Sequence, residues 1–204
     1  MFQTDLKRIV AYMSIGHMSL SILALNTFTI AGFYSAIYTF LGHGLASSAL
    51  FILVGVLYDR HKVRHIKYYS GLQTVMPLFS VYVTFFIFCN IGFPGSPGFV
   101  AELLAFLSLG SISFAFLFLI FISVFILVFV NLWFLRILYG PLHTVLIKNY
   151  GDLSFFSGEH IALLLLVFGT IFLGLCPSTI FSVIHDDVSY YLLRGPVAEI
   201  VRNY

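Results

Sequence analysis

The chain has 204 residues, of which 60% are hydrophobic and only 9% are charged, and its formal net charge is +2. Soluble domains carry about 25% charged residues. This composition therefore excludes a soluble domain, and the small net charge gives no reason to expect nucleic acid as a partner. The chain is predicted to be an integral membrane protein. Its two cysteines, Cys89 and Cys176, lie in apolar runs without metal-ligand spacing, so we expect inert thiols and no metal site.

A helix needs about 20 apolar residues to cross a bilayer, and runs of this kind define the predicted helices in chain order. The first is predicted over about residues 6–25 and the second over about 30–58. The third stretch, about 75–109, would be roughly 50 Å long as one helix, which is too long for a core of about 30 Å. The fourth is predicted over about 113–139 and the fifth over about 160–176.

The third stretch is interrupted by proline and glycine, which punctuate a discontinuous helix. We predict two helical pieces, about 75–93 and 99–109, joined by a break between them. The residues that mark this break are Pro94, Gly95, Pro97 and Gly98. The predicted fold class is an all-α integral membrane protein with about five transmembrane helices, the third of them discontinuous.

The basic residues indicate how the chain is oriented. If the third stretch counts as one crossing, eight of them fall on one side: Lys7, Arg8, Arg60, Lys62, Arg64, Lys67, Arg136 and Lys148. The positive-inside rule places this side in the cytoplasm or an organellar matrix. The other side receives short turns and a polar C-terminal tail, residues 186–204, which begins with Asp186 and Asp187. Residues 1–185 are predicted to form the transmembrane helical half-unit.

Glu102 is the only acidic residue inside an apolar run, and it follows the break closely. A carboxyl group at membrane depth is costly and usually faces a protein interior or a water-filled path. Broken helices at this depth commonly mark ion sites in transporters. We predict that Glu102 handles protons or ions. The alternative is a structural acid that is hydrogen-bonded to a neighbouring helix.

Two histidines lie on polar stripes of the first two predicted helices. One stripe falls within a wedge of roughly 80° and comprises Lys7, Ser14, His17 and Ser21. The other recurs at every fourth residue and comprises Ser35, Thr39, His43 and Ser47. An imidazole can accept a proton on one nitrogen and donate from the other, so we predict a proton relay through His17 and His43. Hydrogen-bonded structure is the alternative for both, and Lys7 is either an anchor at the helix end or a member of the path.

Signatures of an enzyme centre are missing from the sequence. It has no P-loop, no dinucleotide-binding glycine pattern, no cysteine cluster for iron–sulfur and no catalytic triad. We therefore expect no cofactor bound by this chain and no catalytic redox residue in it.

Four stretches carry a resemblance to a known family: TDLKRIVAYMSIGHMS, FLGHGLASSALFILVGVLYDRH, YYSGLQTVMPLF and NIGFPGSPGFVAELL. In order and spacing they resemble the antiporter-like proton-pumping subunits of respiratory complex I, and within these the subunit 4 family. That family has fourteen membrane helices, and the chain resembles the last five. The resemblance implies that His17 in IGHMS and His43 in LGHGL are relay histidines, and that Glu102 in FVAEL is the acid of the broken twelfth helix.

The resemblance further implies a membrane-arm fragment of NADH:ubiquinone oxidoreductase that supplies part of a proton path. NADH, FMN, iron–sulfur clusters and ubiquinone would be bound by other subunits. The implied partners are a fragment carrying the missing N-terminal helices, neighbouring membrane-arm subunits of complex I and membrane phospholipid. The implied location is the mitochondrial inner membrane, with a bacterial cytoplasmic membrane as the alternative. We expect a subunit encoded in separate pieces rather than a truncated chain.

Two other functions are compatible with the sequence. One is a subunit of a Mrp-type cation/proton antiporter, from the same superfamily. The other is a purely structural membrane-assembly protein, in which Glu102 and the histidines hold helices together by hydrogen bonds. Co-purification with NADH dehydrogenase activity would favour complex I, whereas loss of assembly without a specific loss of pumping would favour the structural role.

Overall fold

The structure is a computed structural model, and it describes residues 3–140 and 157–194. Within these ranges it is helical without a β-strand, apart from a single antiparallel bridge between Asp5 and His65. The helices in chain order are α1 (Leu6–Leu25), α2 (Ile30–His61), α3 (Leu72–Val75), α4 (Pro77–Ile91), α5 (Pro97–Gly110), α6 (Phe114–Phe134), α7 (Ser157–Leu175) and α8 (Ser178–Arg194).

Four of these helices, α1, α2, α6 with the 3₁₀ turn that follows it, and α7, are long and apolar enough to cross a membrane. The shorter apolar helices α4 and α5, of 15 and 14 residues, occupy the third predicted stretch. The prediction of an all-α membrane protein with a discontinuous third segment is therefore confirmed.

The break between α4 and α5 follows from the local sequence. Gly92 ends α4 with φ at 78°, a left-handed conformation that glycine adopts at little cost. Ser96 begins α5, because its hydroxyl accepts a hydrogen bond from the Phe99 backbone N–H. Pro97 and Gly98, which the sequence placed in the break, lie in the first turn of α5, where proline is tolerated because its missing N–H needs no partner.

The centre of the bundle is α2, which packs against α1, α4, α5, α7 and α8. Its polar stripe faces α5, where the Ser35 hydroxyl donates a hydrogen bond of 2.8 Å to the Ala101 carbonyl. Close approach of the two helices requires a small residue at position 42, since a Cβ on Gly42 would lie 2.9 Å from the Pro97 ring. The α2–α5 interface therefore fixes where the side chains of both helices meet.

The described basic residues of the sequence prediction lie at one end of the bundle. Leu6 donates its N–H to the Arg64 carbonyl at 3.0 Å, which ties the start of α1 to the loop after α2. Arg60 at the end of α2 forms a 3.2 Å ion pair with Glu159 at the start of α7. The turn after α6 joins the same end, because the Leu138 carbonyl accepts from the Gln73 N–H at 3.3 Å. Lys148 lies outside the described residues.

A buried tyrosine holds the basic loop in place. The Tyr69 side chain is 2% exposed, and its hydroxyl donates to the Val63 carbonyl at 2.7 Å. Burial raises the pKa of Tyr69 to about 12, so the phenol remains a neutral donor at physiological pH. The loop that carries Lys62 and Lys67 is thus packed against the bundle through Tyr69.

The helix α8 lies at the opposite end, against the first turns of α2. The Tyr34 hydroxyl and His185 Nδ1 are 2.6 Å apart, and Phe181 stacks on Tyr34 with ring centroids 4.8 Å apart. This helix was not predicted from the sequence, and it runs across the proposed boundary between residues 185 and 186. The division of the chain at that boundary stays a prediction.

Candidate functional site

The two histidines of the predicted relay meet in the structure. His17 projects from α1 and is 6% exposed, and His43 projects from α2 and is half-buried. Their ring centroids are 5.0 Å apart and the ring planes differ by 31°. Each residue lies on a polar stripe of its helix, and the packing of α1 on α2 turns the two stripes toward each other.

These rings have polar atoms without partners. Within the described part of the chain, His17 Nε2 and both ring nitrogens of His43 are buried and form no hydrogen bond. A buried polar atom without a partner is costly and requires an explanation, of which bound water is the most common. The imidazoles are therefore available to a water molecule or to a proton rather than committed to the protein.

A small cavity connects the histidines to Glu102. Its volume is about 20 Å³, and its wall includes His17, His43, Glu102, Thr39 and Asn90. A water molecule needs about 10–15 Å³ of such space and two to four polar partners. The cavity therefore has room and hydrogen-bonding groups for one water between α1, α2, α4 and α5.

Glu102 lies on α5 against the C-terminal end of α4. A Cβ added to Gly92 would lie 2.6 Å from Glu102 Oε2, so the bare glycine makes the space for the carboxyl group. Within the described residues, Glu102 forms no hydrogen bond to a neighbouring helix. The break in the third segment and the half-buried acid are thus one structural unit.

Two residues near the site, Asn90 and Asn131, were not predicted from the sequence. Asn90 lines the cavity and is 5% exposed, and Asn131 on α6 is fully buried. Asn90 Nδ2 donates to Asn131 Oδ1 at 3.0 Å. The sequence contains a signal for both residues, because a polar amide inside an apolar run, like the carboxyl group of Glu102, is costly at membrane depth unless it has a polar partner.

Lys7 is not brought into this site. It is exposed in the first turn of α1, where its backbone N–H donates to the capping carboxylate of Asp5 at 3.2 Å. Ten helical residues, about 15 Å, separate it from His17. In the described residues, no group of three histidine, cysteine, aspartate or glutamate side chains could hold a metal ion.

Comparison with known proteins gives the family. The family model described as "NADH:quinone oxidoreductase/Mrp antiporter, TM" matches residues 1–130, which include the whole cavity. The chain belongs to this family. The predicted resemblance is therefore confirmed.

Individual relatives in the family are similar over nearly all of the chain. NADH-ubiquinone oxidoreductase chain 4 of Chondrus crispus is 41% identical, over 90% of this chain and 37% of that protein. The Marchantia polymorpha chain 4 is 34% identical, over 95% and 39%. NADH-quinone oxidoreductase subunit M of Rickettsia prowazekii is 30% identical, over 94% and 39%. The chain thus spans less than two fifths of the length of these relatives.

A solved structure shares the fold. It is a chain in a structure of respiratory complex I from Thermus thermophilus with bound NADH, and it matches with a TM-score of 0.76 at 24% identity. The match covers 95% of this chain and 38% of that chain. The helical arrangement described above therefore also occurs in that solved chain.

Proposed function

We propose that this chain is the C-terminal part of subunit 4 of an NADH:ubiquinone oxidoreductase, and that it carries protons along Glu102, His43 and His17. The observation that carries the proposal is the cavity, where His17 Nε2 and both ring nitrogens of His43, which have no hydrogen-bond partner among the described residues, meet one carboxyl group inside apolar helices. Structural side chains at membrane depth are expected to bond to one another, whereas in the described part of the chain these three ring nitrogens do not.

The groups have the chemistry that a relay requires. A proton that binds one nitrogen of His43 can leave from the other, and the carboxyl group of Glu102 can accept or release it. Ring centroids 5.0 Å apart leave the two histidines close enough to exchange a proton through one water. Transfer needs no redox group in this chain, and the proposed role is that of a non-redox subunit.

Other parts of the proposal concern the assembly. NADH, FMN, iron–sulfur clusters and ubiquinone would be bound by other subunits. Because the chain spans less than two fifths of its relatives, a second fragment would supply the remaining helices, and membrane-arm subunits and phospholipid would surround the pair. We place the complex in the mitochondrial inner membrane. The three relatives named above are NADH oxidoreductase subunits, which favours this role over a Mrp antiporter.

Replacing Glu102 tests the proposal. Glu102→Gln keeps the shape and hydrogen-bonding capacity of the side chain but cannot ionise, so the complex should assemble normally and lose most of its proton pumping. Glu102→Asp should retain part of the pumping, because only the reach of the acid changes. Assembled complex, NADH oxidation and proton translocation are measured in the same membranes.

The matched control is Glu159→Gln, which removes a carboxylate outside the cavity and should pump normally wherever it assembles. If Glu102 only holds helices together, the order reverses: the glutamine variant is tolerated and the shorter aspartate harms assembly. Wild-type pumping by Glu102→Gln would rule out a role for this carboxyl group as a proton carrier.

A further inference from the structure

Two amides form a buried chain behind the cavity. Asn90 on α4 donates from Nδ2 to Asn131 Oδ1 at 3.0 Å, and Asn131 on α6 donates from Nδ2 to the Leu127 carbonyl at 2.9 Å. Both helices are otherwise strongly apolar. A buried amide costs free energy unless it is hydrogen-bonded. Breaking the Asn90–Asn131 hydrogen bond would therefore leave two buried amide groups without this partner, which stabilises the pair.

The direction of this chain is fixed by one backbone group. The Leu127 carbonyl can only accept, so Asn131 must turn its NH₂ toward it and its oxygen toward Asn90. Asn90 must then turn its own NH₂ toward Asn131, and the same nitrogen lies 3.8 Å from the Met13 sulfur, a weak acceptor. The oxygen of Asn90 is thereby left as an acceptor that the described amide chain does not use.

This oxygen belongs to a residue that lines the cavity with His17 and His43. A neutral imidazole carries one N–H, whereas a protonated one carries two and accepts nothing. A fixed acceptor that has no proton to give therefore stabilises the protonated ring more than the neutral ring. A water molecule in the cavity would transmit the same preference.

We propose that Asn90 is a positioning residue for the proton path, held by Asn131 and the Leu127 carbonyl so that its oxygen stabilises a proton on the histidine pair. This inference rests on the proposed function and adds a residue pair to it. The other titratable groups that face His43 in the cavity are His17 from α1, Glu102 from α5 and Cys89 from α4; among the described residues, α7 and α8 contribute none to its wall.

The pH dependence of pumping tests the role. Protons translocated per NADH are measured in vesicles containing the assembled complex, from the mildly acidic into the mildly alkaline range. Asn90→Leu removes the acceptor, so the pH at which the ratio falls to half should move down by about one unit, the effect of about 1.4 kcal/mol. Asn90→Asp keeps the shape but cannot donate to Asn131. Its anionic acceptor stabilises a proton on the histidine pair through charge, so the half-point should still move up.

A double-mutant cycle tests the chain of amides. Asn131→Leu releases Asn90 and should shift the half-point down by less than Asn90→Leu does. The double variant should behave like Asn90→Leu alone, because Asn131 acts only through Asn90. Ser108→Ala is the control. Ser108 is also buried, at 1% exposure, but its hydroxyl donates to the Ala105 carbonyl on its own helix, and its loss should leave the half-point unchanged.

Equal losses of pumping at every pH in Asn90→Leu and Asn90→Asp, with an unmoved half-point, would overturn the inference and leave a packing role. Fully additive shifts in the cycle would overturn the coupling through Asn131. If Asn90→Leu fails to assemble, the near-isosteric Asn90→Asp decides the matter alone. Glu102→Gln in the same vesicles separates the two proposals. If Glu102→Gln stops pumping while the half-points of the Asn90 variants do not move, only the positioning role of Asn90 fails. If Glu102→Gln pumps normally, the proposed proton path and the role of Asn90 both fail.

Discussion

At the scale of single residues, Gly92 is as specific a feature of the site as Glu102. Its φ of 78° requires a left-handed backbone, and its missing side chain leaves the volume that the Glu102 carboxyl group occupies. The left-handed φ and the missing side chain are both required at Gly92, because α4 ends at the point where the Glu102 carboxyl group of α5 packs. The Glu102 carboxyl group is therefore positioned by the space beside the Gly92 backbone.

We expect Gly92→Ala to impair pumping through the position of Glu102. The new methyl group would lie 2.6 Å from Glu102 Oε2 and would displace the carboxyl group, and displacements of about 1 Å can cost up to about 100-fold in transfer rate. Protons per NADH should fall to less than about half of the wild-type value, measured on equal amounts of assembled complex.

Gly95→Ala controls for backbone strain in that experiment. Gly95 has φ at 94° in the same break, but a Cβ there would meet open space. Left-handed backbone costs a non-glycine residue about 1–2 kcal/mol, so both variants should lose stability. If both lose pumping to the same extent, the effect comes from strain and not from Glu102.

The residues of the site differ in how far the sequence could predict them. Glu102, His17 and His43 stand out in apolar runs, and the structure brings all three to one cavity, although their roles remain proposals. Asn90 and Asn131 carry no charge. Their hydrogen bond depends on the contact between α4 and α6, and hydrophobic periodicity does not predict which helices are in contact. Lys7 matched its stripe by angle, but the stripe extends along the helix well beyond the cavity.

At the scale of helices, the α2–α5 interface determines whether the cavity exists. Pro97 is a rigid ring at the first turn of α5, and it packs on the bare backbone of Gly42, one residue before His43. The ring cannot rotate away as a flexible side chain can. Any increase in side-chain size at position 42 must therefore move one helix relative to the other.

We expect Gly42→Ala to destabilise the protein by about 1–3 kcal/mol, the usual cost of overpacking a well-packed site. The Cβ would lie 2.9 Å from Pro97, so α5 would shift outward and carry Glu102 away from His43. The measurement is the temperature at which the assembled complex loses half of its NADH-driven pumping, together with resistance to limited proteolysis.

Gly55→Ala is the control, because Gly55 lies on the same helix and its Cβ would meet nothing within 4 Å. Alanine is a better helix former than glycine by about 1 kcal/mol, so this variant should be as stable as the wild type or slightly more stable. Equal stability of the Gly42 and Gly55 variants would contradict the close contact.

Helices were easier to predict from the sequence than their ends. The first helix agrees at both ends with its prediction, because Asp5 caps its start and Asn26 ends it. The break was predicted from proline and glycine, but Pro97 belongs to a helix, since proline is compatible with a first turn. The helix α8 was missed because Pro177 and its mixed composition resemble a tail.

At the scale of the whole molecule, α2 is long enough to reach from one side of the membrane to the other. It has 32 residues and is about 48 Å long at 1.5 Å per residue, which exceeds a hydrocarbon core of about 30 Å. Lys62 caps its C-terminal end, and Tyr34, which contacts His185, lies in its second turn. The basic loop and α8 are therefore separated by almost the full length of this helix.

We expect the basic loop and α8 to be exposed on opposite sides, with the basic loop in the matrix. In a variant without Cys89 and Cys176, single cysteines replace Lys62 or Asp186, which are both exposed. A thiol reagent that cannot cross membranes is applied to sealed vesicles of known orientation. Matrix-side reagent should label position 62 alone, and reagent on the other side should label position 186 alone.

A cysteine at Lys7 serves as the second marker of the basic end, because the Leu6–Arg64 and Ile66–Thr4 hydrogen bonds tie the start of α1 to the basic loop. It should follow position 62 in every experiment. The result also decides how the broken segment crosses, since α4 begins at the basic end and α5 must finish at the other for the sides to alternate. Labelling of positions 62 and 186 from the same side would contradict a single crossing by α4 and α5, and with it the placement of Glu102 at membrane depth.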